Sequence, residues 1–257
     1  MPDCVGGLRA NTSKGTLARV LSLLEARPPG RLLDAPAGEG AFSRLARDAG
    51  HEVVALELDP TVFRLEDVPV RCADLNDRLP IPDASFDYVV CIDGIEHLEN
   101  PYHALREFAR TLRPGGELFL STPNVSALRS RARYLFTGFH NKGKTPLAEE
   151  CPSPLHHIGL IAFPALRYAL HREGFRLREI TTNRIKAAAW ATLPLLPLAA
   201  LATRIAFRHE KDPRQRVLNR EIERQLLSWP VSLGETLIVS AIRSAPPAPA
   251  GPTANSP

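Results

Sequence analysis

Apolar positions follow two rhythms along this chain, and each switch between them falls at glycine or proline. From Thr16 to about Ala26 apolar residues recur every three or four positions, which predicts an amphipathic helix closed by Arg27-Pro28-Pro29-Gly30. RLLDAP reads as a short buried strand, and GEGAFSRLARDAG as a glycine turn feeding a helix that stops at Gly50. HEVVALELDP is continuously apolar at its centre, as a parallel strand covered on both faces must be. VPVRCADL and FDYVVCIDG predict a third and a fourth strand. Pro101 opens a helix to about Arg113, and Pro114-Gly115-Gly116 turns into a fifth strand, ELFLSTPN. Strands separated by helices at this spacing predict an α/β fold built on a doubly wound parallel sheet.

Beyond Asn124 the pattern loosens. VSALRSRARYLF reads as helical and GFHNKGKTPLAEECPSPLHH as a loop. A helix, FPALRYALHREGF, leads into the strand FRLREITTN. An apolar segment, a charged helix from about Gln215 to Ser228 and a last strand, GETLIVSAIR, complete the predicted elements. The Pro/Ala-rich end, 244–257, reads as disordered.

Composition narrows the functional classes. A chain of 257 residues, 44% apolar and 23% charged, holds one large core without disulfide or metal staples. A net charge of +4 permits contact with phosphate or an anionic membrane and does not call for nucleic acid. Cys4, Cys72, Cys91 and Cys151 are scattered, which speaks against a zinc site or a disulfide framework and for a reducing compartment. The first residues lack the pattern of a secretory signal, so a cytoplasmic location is expected.

One stretch modifies that expectation. Residues 187–203 carry no charge, and Lys186 and Arg204 bracket them. Pro194 and Pro197 interrupt the helix that a membrane span would need. Three readings follow: a buried helical insert, an interfacial segment lying peripherally at the inner face of the membrane, or a dimer interface. Upstream, Arg129, Arg131, Arg133, Lys142 and Lys144 form a run without acids, which reads as a solvated face or as a lid for phosphate or a membrane surface.

The candidate chemistry sits at strand ends. Asp34-Ala35-Pro36-Ala37-Gly38-Glu39-Gly40 closes the first strand, and its glycines let the backbone approach a ligand beside a helix N-terminus. The second strand ends in Glu57-Leu58, where an acid can accept from both hydroxyls of a ribose. The third ends in Asp74-Leu75, suited to an adenine amine and ring face. Asp93, Glu96 and His97 would share one face of a helix, a set able to hold a hard divalent ion. His97 is also a candidate base, since an ordinary imidazole titrates near neutrality.

Together these runs resemble the class I S-adenosylmethionine-dependent methyltransferases, over most of residues 15–183 and the last strand. LLDAPAGEGAF is similar to their first motif and VVALELDP to their second. CADLNDRLPIPDASFDYVVCIDGIEHLENP is similar to the run through the fourth strand, and LRPGGELFLSTPN to the motif that follows it. The resemblance is nearest to the ubiquinone-biosynthesis O-methyltransferase-like group. It implies a seven-stranded Rossmann-like domain over 1–243: a cofactor half (15–124), an acceptor half (125–183), a helical insert (184–233) and a last antiparallel strand (234–243) at the sheet edge beside the fifth. It implies S-adenosylmethionine as cofactor. Asp34, Ala35, Gly38 and Gly40 would border its methionine end, and Glu57 with Leu58 its ribose. Asp74 with Leu75 would meet its adenine, and the backbone at Cys91 and Ile92 its sulfonium.

Three features depart from the pattern. Glu57 stands where aspartate is commoner, Pro36 stiffens the first loop, and the connection TVFRLED is short. Runs such as Asp93-Gly94-Ile95-Glu96-His97 accompany a metal in ubiquinone-type O-methyltransferases and small-RNA 2′-O-methyltransferases, while other members carry Glu-His without one. A divalent ion is therefore a candidate and is not assigned. The expected reaction is methylation, at oxygen, of a small-molecule, lipid-linked or glycan-linked acceptor. A nicotinamide-dependent oxidoreductase would need a third small residue where Ser43 stands and would leave Asp74 idle. A non-catalytic, membrane-associated relative would have no use for the acids and glycines at the strand ends.

Overall fold

Each apolar run becomes a strand because both of its faces find a partner. A computed structural model describes residues 3–141, 147–151 and 153–244. Two short strands, β1 (Asp3–Val5) and β2 (Leu8–Ala10), precede α1 (Thr16–Leu24). The cofactor half then runs β3 (Arg31–Asp34), α2 (Ala41–Asp48), β4 (Glu52–Glu57), β5 (Val70–Cys72), β6 (Phe86–Ile92), α3 (Pro101–Thr111) and β7 (Leu112–Pro123). After it come α4 (Leu128–Thr137), α5 (Phe163–Arg172), β8 (Phe175–Thr182), α6 (Ala187–Trp190), α7 (Leu196–Phe207), α8 (Pro213–Leu226), α9 (Trp229–Leu233) and β9 (Thr236–Arg243).

The main sheet has seven strands in the order β5-β4-β3-β6-β7-β9-β8. Pairs from β5 to β7 are parallel, and β9 is antiparallel to both β7 and β8. Leu33, Leu56 and Val89 pack on one face with Phe108 of α3 and Leu166 of α5. Leu32, Val90 and Phe119 pack on the other with Val20 of α1 and Phe42 of α2. Adjacent residues of one strand thus enter opposite cores, which is why the runs read as uninterrupted apolar sequence. Strand order reverses at β3 and β6, so the crevice beyond their C-terminal ends is the position where folds of this kind take ligands.

Several expectations change. The last strand does lie beside the fifth, β7, but it is interior, because β8 pairs with its other side. Its residues Thr236–Ala241 are all buried, as an interior strand requires. The fifth strand begins at Leu112, before the Pro-Gly-Gly turn, and runs through it with a shift of register. The N-terminal hairpin was not anticipated. It is pinned by the Arg9 amide donating to Glu39 (2.8 Å) and by Arg44 reaching the Gly6 carbonyl (3.3 Å). The insert at 187–203 is not buried: among its residues only Ala189 is, and Leu198 and Leu201 are 64% and 56% exposed. The tail beyond Ser244, and Lys142 and Lys144 of the basic run, lie outside the described residues.

An ion-pair network ties α1 to the sheet. Arg27 donates to Glu117 through two nitrogens, at 2.8 and 3.0 Å, and to Glu179 at 3.0 Å. Both Arg27 and Glu117 are nearly buried, so each neutralises a charge that water cannot reach.

Candidate active site

The C-terminal ends of β3, β4, β5 and β6 lie side by side at one edge of the sheet. Asp34, the last residue of β3, is 1% exposed and accepts from Ser43 Oγ of α2 at 2.6 Å. Burial lifts its carboxyl to about 7, and the nearby charge of Glu57 adds to the rise, while the Ser43 hydroxyl opposes it. A buried carboxyl held at the edge of ionisation suits a site that receives a cation.

From Asp34 the chain turns back over the strand ends. Gly40 has φ +93, and an added Cβ would lie 2.9 Å from the Phe63 ring and 3.3 Å from Leu65. A Cβ at Gly38 would meet nothing within 4 Å, so this edge of the loop faces open space. Ala35 is fully buried and its amide donates to the Val90 carbonyl at 2.9 Å. It therefore frames the loop from behind.

Glu57, at the end of β4, accepts from the Gly38 amide (2.7 Å) with Oε2 and from the Leu58 amide (3.0 Å) with Oε1. The carboxylate joins the second strand end to the glycine loop and remains half-buried at the crevice. Leu58 beside it is 50% exposed, an apolar side chain left open at a strand end. The short connection after it is a single 3₁₀ turn, Pro60–Val62, capped by Asp59 accepting from the Thr61 amide at 3.0 Å. Asp74 accepts from the amide (2.8 Å) and side chain (3.0 Å) of Asn76, whose own oxygen accepts from the Glu99 and Asn100 amides. Leu75 is buried.

The β6 end departs from expectation. Asp93 has φ +45, so the chain leaves helical geometry there, and only Ile95–His97 form a 3₁₀ turn. The helical register that would set Asp93 on one face with Glu96 and His97 is therefore absent. Asp93 Oδ1 accepts from Ser121 Oγ and its Oδ2 from Thr12 Oγ1, both at 2.6 Å. Among the described residues, the group whose ligand atoms lie within 4.8 Å of one another is Glu96, His97 and His157. Glu96 is 1% exposed, with Thr122 Oγ1 on Oε2 at 3.1 Å and no partner on Oε1. Burial, then the charge of Asp93, raise its carboxyl well above the usual range. One carboxyl and two imidazoles suit a borderline divalent ion better than a hard one.

His97 is half-buried, and desolvation lowers its pKa below the ordinary imidazole value. Its Nδ1 lies 3.3 Å from the His156 carbonyl, which assigns the proton to Nδ1 and the lone pair to Nε2. The His157 ring packs edge-on at 4.8 Å. The sequence leaves His156 and His157, two histidines of a Pro-flanked loop, as able to complete a metal site or as surface or acceptor-pocket residues. It had no signal for Thr12, Ser43 or Ser121, whose hydroxyls occupy the two acids.

Gly94 is where two loops touch. A Cβ there would lie 2.3 Å from Pro36 Cδ and 3.0 Å from Cys91 Sγ. We expect Gly94→Val to displace the Pro36 loop, weaken S-adenosylhomocysteine binding at least about tenfold and cost ~1–3 kcal/mol of stability. Calorimetric titration and urea unfolding of the variant measure both; wild-type affinity would show that the two loops need not touch.

Comparison with known proteins bears on the family and the fold. Residues 33–120 match the methyltransferase domain family. A probable S-adenosylmethionine-dependent methyltransferase of Mycobacterium tuberculosis is 31% identical over 199 residues, covering 70% of this chain and 72% of that protein. The ubiquinone biosynthesis O-methyltransferase of Xanthomonas euvesicatoria is 29% identical over 161 residues, 59% of this chain, and the match spans only 64% of that relative's length. An S-adenosylmethionine-dependent methyltransferase from Archaeoglobus fulgidus shares the fold with a TM-score of 0.55 at 18% identity, over 89% of this chain and 95% of that one. The [4+2]-cyclase SpnF shares it equally well, with a TM-score of 0.53 over 89% of this chain and 82% of that one. Fold alone therefore does not decide the reaction. The identity to the mycobacterial protein extends well beyond the common core, and this chain belongs to the class I S-adenosylmethionine-dependent methyltransferases.

Proposed function

We propose that the chain methylates an oxygen of a small-molecule, lipid-linked or glycan-linked acceptor, with the cofactor along the ends of β3, β4 and β5. Glu57 accepts from the ribose hydroxyls, with Leu58 beside it. Asp74 and Leu75 meet the adenine. Asp34 and the loop from Ala35 through Gly38 to Gly40 border the methionine end, and the backbone at Cys91 and Ile92 passes the sulfonium. The observation that carries the cofactor reading is Glu57 tied to Gly38 at 2.7 Å beside the open edge of the glycine loop. The match to a ubiquinone O-methyltransferase favours oxygen as the methylated atom.

Bound there, S-adenosylmethionine supplies an already activated methyl, so the protein's tasks are alignment and removal of one proton. His97 performs the second task. Its Nδ1 proton is directed at the His156 carbonyl, and burial disfavours the charged ring, which makes Nε2 the nitrogen that accepts a hydroxyl proton. Burial raises the carboxyl of Glu96 behind it, which disfavours a competing charge there.

The test is label transfer from methyl-labelled S-adenosylmethionine into fractionated extract of the source cells. His97→Ala is expected to lower the transfer rate by about 100-fold or more while leaving S-adenosylhomocysteine affinity intact. Because the His97 pKa is lowered, wild-type transfer should fall only below the ordinary imidazole range and stay flat above it. An unchanged rate in the variant would remove His97 from the chemistry. Label in the solvent-extractable membrane fraction would favour a lipid-linked acceptor. The exposed 187–203 segment supports that arm, with the protein peripheral at the inner face of a membrane.

A further inference from the structure

The insert presents two surfaces that the methyl-transfer reading does not use. Residues 187–207 are apolar enough, and together long enough, to cross a bilayer, with mean hydropathy 1.4. They do not form one helix: α6 ends at Trp190, a 3₁₀ turn covers Leu193–Leu195, and α7 begins at Leu196. Ala189, Leu196 and Ala199 pack on Leu128 of α4 and Leu233 of α9, which holds the segment along the body of the protein. A span could not keep those contacts. On the other side Leu198, Leu201 and Ile205, at spacings of three and four, are all more than half exposed.

Beside this stripe, α7 and α8 enclose a groove of about 410 Å³ whose lining includes Arg204, Arg208, Arg216 and Arg220 and a single carboxylate, Glu223. Arg204 Nε donates to Glu223 at 2.7 Å, and Arg216 Nε donates to the Glu210 carbonyl at 2.7 Å, so these two guanidiniums are held by one nitrogen each. Arg208 and Arg220 have no carboxylate partner among the described residues. Four guanidiniums against one carboxylate leave strong positive charge in one concavity, next to an exposed apolar stripe. Planar guanidiniums bind phosphate oxygens in pairs, and arginine beside apolar surface is the composition of an interfacial segment.

We propose that this groove binds the phosphate of an anionic phospholipid while Leu198, Leu201 and Ile205 enter the acyl boundary. The occupant is a membrane surface and not a second copy of the chain, because a two-fold contact on this patch would bring like-charged arginines together. The half-exposed Trp190 and Trp229, with ring centroids 5.7 Å apart, add the aromatic pair that favours a membrane–water boundary. The inference extends the peripheral-membrane reading above by naming the headgroup site.

Flotation of the full chain with vesicles tests it. The chain should float with phosphatidylcholine vesicles that contain phosphatidylglycerol, should remain at the bottom with phosphatidylcholine alone, and should be released at about 0.5 M salt. Arg208→Glu/Arg220→Glu is expected to weaken partitioning at least roughly 25-fold, about fivefold for each arginine lost. Leu198→Asp/Leu201→Asp should abolish it. Both variants should keep wild-type S-adenosylhomocysteine affinity, which shows that they fold. If the leucine variant detaches and the arginine variant floats like wild type, the groove is not the phosphate site, although membrane contact stands. Failure of the native chain to float with either vesicle overturns both, as does a dimer in solution that Leu198→Asp/Leu201→Asp converts to monomer.

Discussion

Replacing Glu57 by alanine is expected to weaken S-adenosylhomocysteine binding by about 100-fold or more. A hydrogen bond to an ionised group contributes ~1.5–3 kcal/mol net, and a ribose would lose two of them. The variant also frees the Gly38 and Leu58 amides that the carboxylate holds at 2.7 and 3.0 Å, so the loop loses its anchor to β4. Glu57→Gln keeps one acceptor oxygen and should lose about tenfold. Because Glu57 is half-buried at the rim, thermal unfolding should move by only a few degrees. Calorimetric titration separates the outcomes, and wild-type affinity in Glu57→Ala would place the ribose elsewhere.

Asp34→Asn should have the second largest effect, and its sign depends on pH. The folded carboxyl titrates near 7 because it is buried, whereas an unfolded aspartate titrates near about 4. The folded state therefore favours the protonated form. Its contribution is complete below about pH 4 and is lost as pH rises through 7, when the buried group must ionise. At pH 8 the native protein carries a penalty of at most ~4 kcal/mol that asparagine cannot incur. Urea unfolding should find Asp34→Asn more stable than wild type at pH 8, with the gap closing toward pH 4; no gap at pH 8 would refute the buried-acid account. The cost serves the cofactor, since an ionised Asp34 attracts the cationic S-adenosylmethionine. Native affinity for it should fall as pH drops below 7, and the variant should bind weakly at every pH.

How much of this was visible in the sequence follows from which interactions leave a local trace. β3, β4, β6 and β7 were legible because residues such as Leu32 and Leu33 enter opposite cores and must both be apolar. The strand-end acids were legible because Asp34, Glu57 and Asp74 each precede a turn, and the glycines beside Asp34 announce a close backbone approach. The N-terminal hairpin was not, since its three-residue strands have no periodicity and are held by distant Glu39 and Arg44. The grouping of Asp93 with Glu96 and His97 assumed a helical register, which the left-handed backbone at Asp93 breaks. The insert could not be decided from composition, because leucines that face a core and leucines that face outward are spelled alike. Only the packing of Leu196 and Ala199 inward, and of Leu198 and Leu201 outward, tells them apart.

The central claim is that the ends of β3, β4 and β5 form the cofactor site. A crystal structure of the full chain with S-adenosylhomocysteine tests it most directly. It should show the ribose hydroxyls on Glu57, the adenine beside Asp74 and Leu75, and the methionine end at the loop between Asp34 and Gly40. Density for the ligand in another crevice, with Glu57 still bonded only to Gly38 and Leu58, would contradict the account.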